Sequence, residues 1–136
     1  MLVNSNSMKQ NQFKIFNKRD SIKTKRIAVK VKNKYCFISV EDIKYILSSS
    51  YYAEIYTIED ERFIYRISIK DFIEKLDSGL FMRVNRSTII NINQVKELIS
   101  EGQGDFSISM IDGNYFSLSK NYKKDFFHFF GIKVSA

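Results

Sequence analysis

The chain of 136 residues predicts a single mainly β domain, an elongated stack of small antiparallel sheets with two short helices. Three observations carry that prediction. Short apolar runs alternate in the period of two that marks half-buried strands. Aromatic residues reach 15 %, mostly Phe and Tyr, which favour pleated surfaces. No βαβ alternation appears, which argues against a parallel sheet.

Residues 1–25 are polar, with Asn, Lys, Ser and Gln around a few apolar residues, and read as a flexible basic arm or linker. Residues 26–136 form the expected domain. Ile27, Val29 and Val31 alternate with Ala28, Lys30 and Lys32 as a strand. Asn33-Lys34 reads as a turn and Tyr35 to Ile38 as a second strand. Ser39 is placed to cap one helical turn, with Asp42 in a capping-box position. Ile43 to Leu47 is a strand, broken by Ser48-Ser49-Ser50. Tyr52 to Ile58 and Arg62 to Ile67 flank the charged turn Glu59-Asp60-Glu61.

The clearest helix follows Ser68, its expected N-cap, with Asp71 in the first turn and Gly79 just past the end. Ile69, Phe72, Ile73 and Leu76 fall on one face, the pattern of a core-packing stripe. Val95 to Ser100 is a strand, Gly102 and Gly104 mark a loop, and Phe106, Ile108 and Met110 alternate with serines. Asp112-Gly113 signals a type I′ hairpin back through Tyr115 to Leu118. Ser119 caps a last helix from about Lys120 to Phe130, stopped by Gly131. Its aromatics (Tyr122, Phe126, Phe127, Phe129, Phe130) exceed one narrow stripe and suggest a docking face or a partner surface. The total is about nine strands and two helices.

Between Phe81 and Asn91 lies an unusual segment. Arg83, Asn85, Arg86, Ser87 and Thr88 interrupt an otherwise strand-like run. Each polar group buried there without a partner would cost about 1–3 kcal/mol, so the cluster should surface at a strand end or loop. Arginine, asparagine and serine are the donors that read base edges and phosphates.

Charge and composition narrow the class. The net charge is +7. Residues 1–26 hold seven basic side chains against Asp20, and the remainder is nearly balanced with fifteen basic and fourteen acidic. A basic arm on a near-neutral body suggests a polyanion, although a solvated tail explains it equally. No run is long and apolar enough for a membrane span, and no signal peptide opens the chain, so a cytoplasmic protein is expected. Cys36 stands alone, which excludes an internal disulfide. His128 has no companions at metal spacing, and no nucleophile, phosphate-loop or paired-base pattern appears. No enzyme and no cofactor are therefore expected.

The pattern Arg83-x-Asn85-Arg86-Ser87-x-Ile89-Ile90-Asn91 resembles the signature of LytTR DNA-binding domains, the output domains of LytR/AlgR-type response regulators of two-component systems. The resemblance covers roughly residues 26–131. It includes Asp42 to Ile46, the helix after Ser68, and Leu118-Ser-Lys-Asn-Tyr122. The family usually has histidine where Asn85 stands, and asparagine cannot take a charge. The resemblance implies that loops enter successive major grooves of a direct-repeat site on double-stranded DNA. The matching segments are Ser48 to Tyr52, Asn85 to Ser87 and Ser119 to Tyr122.

On that reading Arg86 is the expected guanine reader, with a surface ion pair as the plain alternative. Lys120 opposes the helix dipole and so fits a groove or phosphate contact better than a helix-stabilising role. Asn85 either reads adenine or holds the loop. Ser50 and Tyr51 are expected near DNA. Arg83 contacts phosphate or braces the loop from beneath. Ser87, Ser119, Asn121 and Lys123 complete the candidate DNA-binding set, and Asn91 reads as a turn-former. A homodimer on DNA and a regulatory protein partner fit the same picture, while a protein-interaction or oligomerisation module built on the aromatic helix is an alternative of a different class. RNA binding is a further alternative. About 25 residues precede the first strand, too few for a receiver domain. The expectation is a stand-alone LytTR protein, favoured by Met1, or a fragment cut at a linker.

Overall fold

The structure is a computed structural model that describes residues 25–133. The expected basic arm lies outside the described residues apart from its last residue. Ten strands form three antiparallel sheets. β1 (Arg26–Val31) and β2 (Lys34–Ser39) make a hairpin. The central sheet has the order β5-β4-β3-β7-β6, from β3 (Ile43–Ser49), β4 (Tyr52–Thr57), β5 (Arg62–Tyr65), β6 (Phe81–Asn85) and β7 (Thr88–Asn91). The third sheet joins β8 (Val95–Gly102), β9 (Asp105–Met110) and β10 (Tyr115–Leu118). The helices among the described residues are α1 (Ile69–Lys75) and α2 (Lys120–Phe130).

The central sheet is buried on both faces. Ile89 packs with Ile27, Val29, Ile38, Ile46, Phe72 and Leu76 under the β1–β2 hairpin and α1. Its neighbour Ile90 points the other way, into Tyr45, Val84, Ile108, Phe126 and Phe127 beneath the third sheet and α2. A strand covered on both sides has no use for polar alternation, which is why β7 reads as an unbroken buried run. The face of α1 predicted as core is core: Ile69, Phe72 and Leu76 are buried and Ile73 is partly so. Ser68 caps α1 by accepting a hydrogen bond from the Asp71 N–H at 3.1 Å.

Several local expectations are corrected. The tenth strand arises because the polar segment 81–91 folds back on itself as β6 and β7. β3 runs through Ser48 and Ser49, and the chain reverses at Ser50, which has φ 54°. The first turn is Lys32-Asn33, with Lys32 at φ 59°, and Val31 pairs with Lys34. Ser39 precedes a single 3-10 turn (Val40–Asp42) but makes no side-chain cap bond, so the capping box does not form. Ser119 likewise makes no side-chain cap bond. Helix α1 ends at Leu76 in extended conformation, and Gly79 instead sits in a turn whose N–H is held by Asp77 at 2.8 Å. Asp112 lacks the positive φ of a type I′ turn. The loop closes as a turn from Met110 to Gly113, with only Gly113 left-handed at φ 95°, the three-residue hairpin form.

That hairpin carries an unforeseen contact. Lys44, only 7 % exposed within β3, donates to Asp112 at 2.7 Å and to Asp60 at 3.2 Å. The Tyr45 hydroxyl also donates to Asp112 at 2.7 Å, and the Asn114 side-chain amide donates to the Tyr45 oxygen at 2.7 Å. The β3 bulge between Ile43 and Tyr45 accompanies this inward lysine. Glu59-Asp60-Glu61 is thus not merely a solvated turn, since Asp60 pairs with Lys44. Burial would raise the Asp112 carboxyl, but the Lys44 ammonium, the Asn114 N–H groups and the Tyr45 hydroxyl outweigh it and hold it well below the ordinary carboxylate range. Burial and the neighbouring carboxylate push the Tyr45 phenol up to about 12. Lys44 loses by burial but gains more from Asp112 and Asp60, so its pKa is raised and it stays charged.

A pH dependence follows. Asp112 titrates lower when folded than when unfolded, where its value is about 4. Its stabilisation is therefore fully present above about pH 4 and is lost as pH falls toward the folded value. Urea unfolding at pH 7 and pH 3 should show a larger loss for wild type than for Asp112→Asn. At pH 7, Asp112→Ala should cost about 1.5–3 kcal/mol, the range for hydrogen bonds to charged groups. Equal pH sensitivity of wild type and the asparagine variant would contradict this account.

Candidate nucleic-acid interface

Antiparallel topology sets alternate strand ends side by side. The end of β3, the start of β4, the end of β6, the start of β7 and the end of β10 all meet at one edge. That edge is opposite the Lys44 network. It gathers the three polar segments singled out from sequence: the β3–β4 turn, the β6–β7 turn and the start of α2.

Backbone hydrogen bonds join them. The Ser48 N–H donates to the Ser87 carbonyl at 2.8 Å, which ties the end of β3 to the β6–β7 turn. On the other side the Ser119 N–H donates to the Val84 carbonyl at 3.0 Å, which fixes the entry to α2 against β6. The Asn85 amide donates to the Ser117 carbonyl at 2.8 Å. Its carbonyl oxygen accepts from the Ser87 N–H at 2.9 Å and lies 3.3 Å from the Ser87 hydroxyl. Asn85 thus has both ends of its amide engaged inside the protein and acts as a loop holder, the second of its two expected roles.

Arg83 braces the same turn from beneath. Its guanidinium donates to the carbonyls of Arg86, at 2.5 Å, and Asn85, at 3.4 Å, and lies 5.7 Å from the Tyr122 ring centre. These contacts engage two of its five N–H donors inside the protein. Arg86 differs. Its side chain is exposed and has no hydrogen-bond or ion-pair partner among the described residues. The surface ion pair that would explain it blandly is absent among those residues.

The remaining residues divide. Tyr51 is 83 % exposed at the tip of the β3–β4 turn beside exposed Ser50, while Tyr52 turns partly inward. Lys120 and Asn121 are exposed at the start of α2, and Ser119 is half-buried. Lys123 is engaged within the protein: its ammonium donates to the Gly104 carbonyl at 2.8 Å and lies 5.0 Å from the Phe106 ring. It clamps the β8–β9 turn. Asn91 is 2 % exposed, accepts from the Asn93 N–H and donates to the Ile43 carbonyl, a turn-former as expected. Sequence reasoning missed Ser117, which acts chiefly through its backbone carbonyl, an atom that any residue offers. No group of three or more potential metal ligands occurs among the described residues. No helix among them is long and apolar enough to cross a membrane.

The family model for the LytTr DNA-binding domain matches residues 33–131. The chain belongs to the LytTR family. The match starts later than the expected residue 26, so β1 and the tip of its hairpin precede it. The sensory transduction protein LytT of Bacillus anthracis is 25 % identical over 100 residues, covering 74 % of this chain and 40 % of that protein. The heme-containing CO-sensing transcriptional regulators RcoM 1 and RcoM 2 of Paraburkholderia xenovorans are 31 % and 32 % identical over 74 residues, covering 54 % of this chain and 27 % of each. The chain therefore spans between about a quarter and two-fifths of these relatives' lengths. Among solved structures, a LytTr DNA-binding domain from Bacillus cereus, assigned to a methyl-accepting/DNA response regulator, superposes with a TM-score of 0.72. It is 20 % identical and covers 80 % of this chain and 99 % of its own, a likeness of fold. Family membership makes this a DNA-binding domain of the kind found in transcription regulators.

The holding role of Asn85 is testable. Asn85→Ala removes hydrogen bonds worth about 0.5–1.5 kcal/mol each. It should lower stability by about 1–2 kcal/mol and speed hydrogen exchange at the Ser87 amide. Unchanged exchange there would show that the turn does not depend on Asn85.

Proposed function

We propose that this chain is a sequence-specific reader of double-stranded DNA that regulates transcription, with its turns entering successive major grooves of a repeated site. The observation that carries the reading is Arg86. It is an exposed guanidinium with no partner among the described residues, on a turn held from both sides, so little freedom is lost when it meets a base. A bidentate contact from Arg86 to guanine O6 and N7 supplies about 1–3 kcal/mol of discrimination. Tyr51 with Ser50, and Lys120 with Asn121, flank it at the same edge and supply the contacts on either side. Arg83, Asn85 and Ser87 position the turn, and Lys123 is a structural residue rather than a DNA ligand.

A second reading rests on a separate observation. Phe129 and Phe130 remain 44 % and 38 % exposed at the end of α2, an apolar patch suited to a protein partner or a second copy. It is compatible with the first, since direct-repeat binding brings two domains together.

Selection from a random duplex pool at about 150 mM salt tests the main reading, because charge-only binding is weak there. Recovery of a motif repeated at about one helical turn, 10–10.5 base pairs, is expected. Arg86→Ala should bind that motif about 5- to 150-fold more weakly while melting at the wild-type temperature, from the same energy range. Wild-type affinity in that variant would remove Arg86 from the reading, and a pool with no enriched motif would remove sequence specificity.

A further inference from the structure

A second cationic surface stands beside the three turns. Lys30, Tyr35, Tyr52, Ile64, Tyr65 and Arg66 line, with Ala28, an open groove of about 490 Å³ between the β1–β2 hairpin and the end of β5. Among the described residues, no carboxylate lines it. Arg66 and Lys30 are exposed, and neither has an ion-pair or hydrogen-bond partner among the described residues. Arg62, at the start of β5, is by contrast neutralised by Glu54 at 3.0 Å. Lys30 also borders a neighbouring groove containing Glu61, but no ion pair joins them.

The hairpin that forms one wall of the groove carries charge of one sign. Residues 25–40 carry Lys25, Arg26, Lys30, Lys32 and Lys34 and no acidic residue. The near-neutral balance of the body therefore conceals a basic hairpin. Position supplies the second argument. Tyr52 pairs with Ser49 at the root of the Ser50-Tyr51 turn, and Ala53 pairs with Tyr65, one residue before Arg66. The groove is thus continuous with the edge proposed to read bases.

We propose that this groove seats the phosphate backbone of duplex DNA flanking the site read by the turns, as a sequence-independent anchor. The inference rests on the DNA-reading edge proposed above. Lys30 and Arg66 contact phosphates, and the three tyrosines give the groove a firm floor with hydroxyl donors. Arg66 also has the planar fork that pairs two phosphate oxygens. Such contacts strengthen binding to every sequence alike and make it salt-dependent.

The test uses the full chain and two duplexes of equal length, one carrying the selected motif and one of scrambled sequence. Affinity is measured against salt for wild type, for the double variant Lys30→Gln and Arg66→Gln, and for Arg86→Ala. Each phosphate contact contributes about 0.9 to the slope of log affinity against log salt, so the double variant should lose about 2 units of slope on both duplexes. The ratio of affinities for the two duplexes should stay at the wild-type value. Thermal melting confirms that the double variant is folded, as expected for two exposed side chains. A slope within error of wild type overturns the anchor while leaving the reading edge intact. Loss of the ratio in the double variant also overturns it, since the groove would then be reading bases. Equal affinity of wild type for both duplexes means that the reading edge itself fails, an outcome that Arg86→Ala reports independently of the groove.

Discussion

The β6–β7 turn is held on both sides, and the arrangement of the site depends on that constraint. One strand of the pair, β7, lies against β3. The other, β6, receives the start of α2 and the end of β10. The bonds from Ser48 to Ser87 and from Ser119 to Val84 use backbone atoms alone, so any sequence with this topology can form them. What the sequence adds is Asn85, whose amide bridges the turn to Ser117, and Arg83, whose guanidinium fills the space beneath. Three turns from separate parts of the chain become one rigid edge.

The opposite edge is fixed by different chemistry. Lys44 is inside a strand that should be apolar, and it stays there because Asp112 and Asp60 reach it from two hairpins. Asp112 belongs to the third sheet and Lys44 to the central one, so this contact joins two sheets by charge where apolar packing joins them elsewhere. Removing one partner would leave the other poorly compensated in a desolvated setting. The protein thus has a polar clasp at one end and an exposed, donor-rich surface at the other.

Much of this fold was legible in the chain. The period-two alternation located most of the strands, and Ser68 with its four apolar partners located the start and core face of α1. The polar cluster from Arg83 to Ser87 revealed a surface turn, because burying it would have been too costly. What escaped had a physical reason in each case. The fold-back of 81–91 was hidden because β7 is buried on both faces and shows no alternation. The Asp112-Gly113 hairpin looked like type I′, yet Asp112 turns its carboxylate toward Lys44, a partner 68 residues away that no local pattern announces. Lys123, placed in the candidate DNA-binding set, meets the Gly104 carbonyl and the Phe106 ring, contacts across the chain that no local pattern announces. The roles of Asn85 and Arg83 depend on distances that spacing does not encode. The basic hairpin was averaged away by counting charge over the whole body.

The central claim is that the base-reading surface is the single edge formed by these turns. Amide chemical-shift mapping of the labelled chain, titrated with a duplex carrying its selected motif, tests it most directly. The account predicts that the amides of residues 50–52, 85–87 and 119–121 shift together, with those around Lys44, Asp60 and Asp112 unmoved. Shifts confined to the end of α2 at Phe129 to Ile132, or to the Asp60 and Asp112 hairpins, would contradict it.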